Sequence, residues 1–153
     1  MLKEDEITKL KQMGKICPTF HLKKATRIVS KIFDKNMKKI GINTGQFSLL
    51  STLLIVKKSI NITNLSTIMA MDRTTLTRNL KNLEKLKCIT INKNKDDFRI
   101  KEFHVTDKGI DKIRKGIDAW DTSYNELKKI FDEDFLSVLI KHLNIIEKSG
   151  LPV

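Results

Sequence analysis

Along most of the chain, hydrophobic positions recur every three to four residues, and over one short middle stretch they recur every second residue. Between residues 16 and 40, Phe20, Ile28 or Val29, Ile32, Phe33, Met37 and Ile40 form a broad apolar stripe with lysines opposite, which predicts one long helix. Pro18 suits its first turn and Gly41 its stop. Thr44 stands where it would cap a second helix carrying Phe47, Leu50, Leu54 and Ile55. "KKSINI" reads as a turn and a short extended piece. Thr63 would cap a third helix with Leu65, Ile68 and Met69, and Asp72 a fourth that runs to about Leu86 on Leu76, Leu80 and Leu83. The period then changes to two. "CITINK" and, at residues 100–105, "IKEFHV" alternate around the polar "NKNKDDFR", which predicts a β-hairpin with a long tip. Thr106 starts a helix with apolar residues at 110, 113, 117, 120, 124, 127 and 131, a narrow heptad-like seam that calls for another helix against it. The acidic "DED" at 132–134 favours the start of a last helix, whose apolar face is Phe135, Leu139, Leu143 and Ile146.

A short helix, a tight turn, a second helix and then a hairpin make a winged helix-turn-helix. The expected fold is mostly α with a small β-hairpin wing. A winged helix-turn-helix lobe is expected at 44–105, and a helical dimerisation region at 1–43 and 106–153, all in one chain of 153 residues. No internal repeat or low-complexity linker interrupts it.

The fourth helix opens on "MDRTTLTRNL", residues 71–80. Threonine is a mediocre helix former, because its β-branch loses rotamer freedom against the preceding turn. Arg73, Thr74, Thr75, Thr77 and Arg78 nevertheless fill the first two turns. The opening of a recognition helix faces base edges and phosphates, where Arg reads guanine and Thr contacts phosphate or the thymine methyl. The alternative is a surface helix with an ordinary polar face.

Charge bears on that choice. The net charge is +12 and the pI near 9.7. Only five of the 30 basic residues are arginine, a bias that an AT-rich genome also produces, so distribution says more than the total. Residues 1–56 and 57–101 are each net +7, whereas 102–153 are net −2. A polyanion is therefore expected to meet the first two thirds of the chain.

Two motifs resemble the MarR family of bacterial regulators, and the likeness extends over nearly the whole chain. "MDRTTLTRNLKNLEKLKCI" is similar to the family's recognition helix and following strand. "DDFRIKEFHVTDKG" is similar to its wing, with Asp97, Arg99, Val105, Thr106 and Gly109 in the motif positions. The resemblance implies a DNA-binding transcriptional regulator, a repressor, acting as a homodimer on an inverted-repeat operator and released by a small-molecule or oxidant effector. It implies that Arg73, Thr74, Thr75, Thr77 and Arg78 line the major-groove face, with Lys81 nearer the backbone, and Lys93 and Lys95 are further DNA-binding candidates. Arg99 would enter the minor groove at the wing tip, oriented by Asp97. Phe98 stands where the family often has a second basic residue, and Lys87 where many members have a glycine ending the recognition helix.

Some family members sense oxidants through a cysteine near the start of the first long helix. Cys17 falls about two residues earlier than that position in the organic-peroxide branch, where this chain has Thr19. Cys17 and His21 are one helical turn apart. Three readings stay open: an ordinary thiol beside a satisfied histidine, an oxidant sensor, and a shared soft metal. Phe20, Trp120 and Tyr124 are candidates for an effector pocket or for core. Cys88 lies at an apolar strand position and reads as core.

Two cysteines make no disulfide framework, so a reducing cytoplasm is the expected compartment. "MLKEDEITKLKQMGK" lacks the apolar stretch of a signal peptide, and no run approaches the roughly 20 apolar residues of a membrane span. His21, His104 and His142 are far apart, and no nucleophile elbow, phosphate loop or paired metal motif occurs, so neither an enzyme nor a resident cofactor is expected. The rival to a DNA-binding regulator is a helical adaptor that uses the same fold to hold protein.

Overall fold

The computed structural model describes residues 1–56, 60–94 and 100–149. Among them the order is α1 (Glu4–Ile16), α2 (Pro18–Met37), α3 (Thr44–Val56), α4 (Ile62–Met69), α5 (Arg73–Lys85), β1 (Ile89–Lys93), β2 (Lys101–Val105), α6 (Asp107–Lys128) and α7 (Glu133–Glu147). The fold is mostly α with one antiparallel hairpin, as the periodicity predicts.

α1 was not legible as a helix. Its first turn holds Glu4, Asp5 and Glu6, which suit the positive end of a helix dipole, and the Lys3 N–H donates to the Glu6 carboxylate at 2.7 Å. None of its residues is buried. The long helix expected from residue 16 begins at Pro18, after a break at Cys17, and ends at Met37. A 3₁₀ turn then carries the chain to Gly41, whose φ of 76° requires the left-handed region that glycine enters freely.

Two caps differ from expectation. α3 is capped by Asn43, which accepts from the Gln46 N–H at 2.8 Å while the Gln46 side chain accepts from the Asn43 N–H at 3.0 Å. Thr44 instead donates both its N–H and its hydroxyl to Asp34 of α2, at 2.8 and 2.7 Å. α4 is capped by Asn61, whose side chain accepts from the Asn64 N–H, and Thr63 lies within the helix. Asp72, Thr106 and Asp132 cap α5, α6 and α7 as expected.

The core of the lobe is Leu49, Leu50 and Leu53 of α3, Leu65 of α4, and Leu76, Leu80 and Leu83 of α5. Ile60, Cys88, Ile89 and Ile113 close it. The apolar face of α3 therefore runs through Leu49 and Leu53, and Ile55 points outward. Ile68 of α4 is likewise exposed. The hairpin pairs Ile89 with Val105, Ile91 with Phe103 and Lys93 with Lys101, and Ile60 adds an isolated bridge to Lys101.

α6 fastens this lobe to the long α2. Gly116 lies so close to the Phe47 ring, and Gly109 to the Cys88 carbonyl, that a Cβ at either would overlap its neighbour. The buried line on α6 is Gly109, Ile113, Gly116, Ser123 and Leu127, not the whole expected seam. Ile117 and Trp120 of the seam stay exposed on the single chain. Asn36 of α2 is buried and donates to the Ser123 hydroxyl at 3.0 Å, and Lys39 donates back to Asn36 at 2.8 Å. On α7, Leu136 is the buried residue, while Phe135, Leu139 and Ile146 are exposed. No helix of the described residues is long and apolar enough to cross a membrane.

Candidate nucleic-acid interface

α5 owes its place to opposite faces of one helix. Leu76, Leu80 and Leu83 recur at steps of four and three and are buried, each contributing roughly 1.5–3 kcal/mol of apolar burial. The outer side therefore turns to solvent with its charges. At the start of the helix the Asp72 side chain accepts from the Thr75 N–H at 2.8 Å. Hydrogen bonding from the Thr75 side chain first, and then from this N–H, both made to the charged form, holds the Asp72 carboxyl below its usual range.

Arg73, Thr74, Thr77, Arg78, Lys81 and Asn82 line one shallow groove of about 550 Å³ along α5. Five of these six are residues expected from the sequence to meet DNA. Asn82 was missed; it lies one position beyond Lys81 on the same face. Thr75 is set apart, half-buried, on the flank of the helix. Arg73 leans toward α4 and donates to the Thr63 hydroxyl at 3.0 Å. The Thr63 carbonyl in turn accepts the hydroxyls of Ser66 and Thr67, so α4 presents a hydroxyl-rich edge beside Arg73.

The hairpin is held against this helix at its root. Lys87 adopts φ 59°, the left-handed turn that a glycine ordinarily supplies, so the bend after α5 forms despite the lysine. The Lys87 carbonyl accepts the Thr106 hydroxyl at 2.7 Å, and Thr106 also accepts from the Gly109 N–H at 3.1 Å. This gives the Val-Thr-x-x-Gly stretch a structural purpose: it locks the end of the wing to the start of it. Lys93 is exposed on β1, in a second groove between α5 and the hairpin. Lys95, Asp97 and Arg99, with Phe98, fall outside the described residues.

The residues expected around an effector are at the other end of the molecule. Cys17 joins α1 to α2 and is partly exposed. His21 makes its ring contact with the Lys15 carbonyl, 3.0 Å from Nε2, and with the edge of Phe20. Among the described residues no group of three or more His, Cys, Asp or Glu could hold a metal ion. Trp120 stacks on Tyr124 with centroids 4.9 Å apart, and Phe33 approaches Trp120 from α2. Burial pushes the Cys88 thiol up, which keeps it protonated and inert near neutral pH.

Solved structures share this arrangement. The transcriptional repressor CouR of Rhodococcus jostii RHA1, bound to a 23-mer DNA duplex, is 21% identical and superposes with a TM-score of 0.76 over 97% of this chain and 99% of its own. A MarR variant from E. coli complexed with operator DNA is 20% identical, with a TM-score of 0.76 over 92% and 98%. The M. tuberculosis regulator MosR in complex with DNA is 22% identical, with a TM-score of 0.73 over 89% and 99%. The chain has a MarR-like winged-helix fold. No family model and no curated protein matches the sequence. In the MarR-like fold α4 and α5 form the helix-turn-helix and β1–β2 the wing, and the groove lies along the second helix of that pair.

Proposed function

We propose that the protein is a sequence-specific double-stranded DNA-binding transcriptional regulator, a repressor, that acts as a homodimer on an inverted-repeat operator. The observation that carries this reading is the single groove on α5 shared by Arg73, Thr74, Thr77, Arg78 and Lys81. Two guanidinium groups, two hydroxyls and an ammonium on one exposed helix face offer charge for phosphate and donors for base edges. The DNA-bound state of CouR, MarR and MosR, which share the fold, supports it.

In this reading Arg73 and Arg78 read bases, Thr74, Thr75 and Thr77 contact phosphate or thymine, and Lys81, Lys93 and Lys95 hold the backbone. Arg99 enters the minor groove with Asp97 beside it. Residues 44–105 are the DNA-binding lobe, and 1–43 with 106–153 the dimerisation region. Support for the homodimer comes from apolar side chains exposed on both ends of the single chain: Leu10 and Met13 on α1, Phe135, Leu139 and Ile146 on α7.

Release is assigned to a small-molecule or oxidant effector. CouR has been captured with p-coumaroyl-CoA, which supports the small-molecule route for this fold. The oxidant route runs through Cys17, with Phe20 and His21 around it. Loss of DNA under mild peroxide in the wild type and in Cys88→Ser, but not in Cys17→Ser, is the outcome that route requires. Equal retention by all three assigns release to a small molecule. No catalytic role is proposed for any residue.

Competition binding separates the regulator from the protein-binding adaptor. Labelled genomic fragments bound by the protein should be displaced by one unlabelled sequence far better than by random DNA of equal length. Equal displacement by both, or no binding, would favour the adaptor.

A further inference from the structure

Lys93 and Lys101 stand directly opposite each other in the β1–β2 ladder. Partners across an antiparallel pair project from the same face, and like charges placed there repel. The earlier rungs on that face are apolar, Ile89 with Val105 and Ile91 with Phe103. The face thus changes from apolar to doubly cationic within two rungs. That end borders a groove of about 240 Å³ between the hairpin and α5, where Thr77, Lys81 and Glu84 form the opposite wall. Three lysines meet one carboxylate in it. Among the described residues, none of the three lysines is ion-paired. The backbone under Lys101 is fixed by the Ile60 N–H, which donates to its carbonyl at 3.3 Å.

A repelling pair on a half-exposed ladder weakens the hairpin unless an anion comes between the charges. We propose that this groove is a phosphate site, seating one backbone phosphate of duplex DNA among Lys81, Lys93 and Lys101, with the Thr77 hydroxyl as a neutral donor. The inference rests on the DNA-binding reading above. A polymer phosphate is favoured over a free one by continuity: Thr77 and Lys81 line both this groove and the groove along α5. A strand followed along the recognition helix runs directly into the site. Lys101 is then a DNA-contacting residue that the sequence did not mark, because in the alternating strand it reads as one more surface lysine.

The site makes an unusual pair of demands on one variant. Lys101→Gln removes a repulsion from the free protein and a contact from the complex. It should raise the thermal unfolding midpoint without DNA, yet lower affinity evenly across sequences and reduce the slope of log K against log salt by about one per bound protomer. Lys148→Gln on α7 should change neither. Neutral methylphosphonate, scanned through the backbone of a bound duplex, should weaken the wild type at one phosphate per half-site and weaken Lys101→Gln clearly less there, because two of the three lysines remain. If the wild type binds DNA but Lys101→Gln keeps the full salt slope, the site is wrong while the regulator reading stands. If inorganic phosphate shifts the amide resonances of Lys93 and Lys101 but no methylphosphonate distinguishes the two proteins, the anion is free phosphate and the proposal is overturned. No DNA binding by the wild type would overturn the regulator reading itself.

Discussion

Lys87 shows how a single backbone angle outlives the residue that usually serves it. A left-handed conformation costs an L-residue roughly 1–2 kcal/mol, and the burial of Leu83, Cys88 and Ile89 on either side offsets that cost. Lys87→Gly removes the strain but adds freedom to the unfolded chain, worth roughly 0.5–1 kcal/mol. A net stabilisation of about 0.5–1 kcal/mol in a urea unfolding curve is expected; a destabilised variant would mean that the lysine side chain holds the turn. The sequence marked this position as a departure and could not say whether the turn survived. Arg73 and Arg78 were legible as a pair, but not the bond from Arg73 to Thr63, because no local pattern encodes a contact across ten residues. Replacing Arg73 or Arg78 by Ala should each cost about 1–3 kcal/mol in binding and relax the preference at one base. Intact affinity and preference in both variants would show that the wrong face of α5 was assigned.

At the scale of elements, the caps decide where α5 begins. In its charged form the Asp72 carboxylate is favoured by hydrogen bonding from the Thr75 side chain and then from the Thr75 N–H, and its folded pKa lies below the usual 3.8. A depressed carboxyl stabilises the fold in full above its unfolded pKa and loses that contribution as pH falls through the folded value. The unfolding midpoint of Asp72→Ala should therefore lie below that of the wild type at pH 7, with the gap closing under pH 3.8. Asp72→Asn, which keeps an uncharged acceptor, should show little of this pH dependence. A gap that stays constant across the range would assign the loss to something other than the cap. Elements were legible where periodicity was long or a cap had one candidate, as at Asp72 and Thr106. They were not where several polar residues competed, as at Asn61 with Thr63 and Asn43 with Thr44, since any of the four has a suitable side chain. α1 escaped because its apolar residues are few and set among charges, and none of them is buried in the single chain. Gly116 carries its own test: Ala there meets the Phe47 ring, and overcrowding should cost about 1–3 kcal/mol. An unchanged midpoint would mean that α6 and α3 can part without penalty.

For the whole molecule, the proposed homodimer gives the two ends of the chain a purpose. Ile7, Leu10 and Met13 on α1 and Phe135, Leu139 and Ile146 on α7 are exposed on the single chain, and large exposed apolar faces mark interaction surfaces. Light scattering at micromolar concentration should give twice the mass of one chain; a monomer there would count heavily against the proposed dimer. From α2 onward the order of elements, and with it the winged helix-turn-helix, was legible from periodicity. The split of the α6 seam was not, because burial of Ile113 and Leu127 beside exposure of Ile117 and Trp120 depends on where α2 and α3 lie. If two copies present two α5 helices across a two-fold axis, they read a two-fold symmetric sequence. Selection of bound fragments from random double-stranded DNA tests that most directly. The account predicts one enriched inverted repeat with half-site centres about 10 bp apart. Fragments with no common sequence, or a single unpaired half-site, would contradict it.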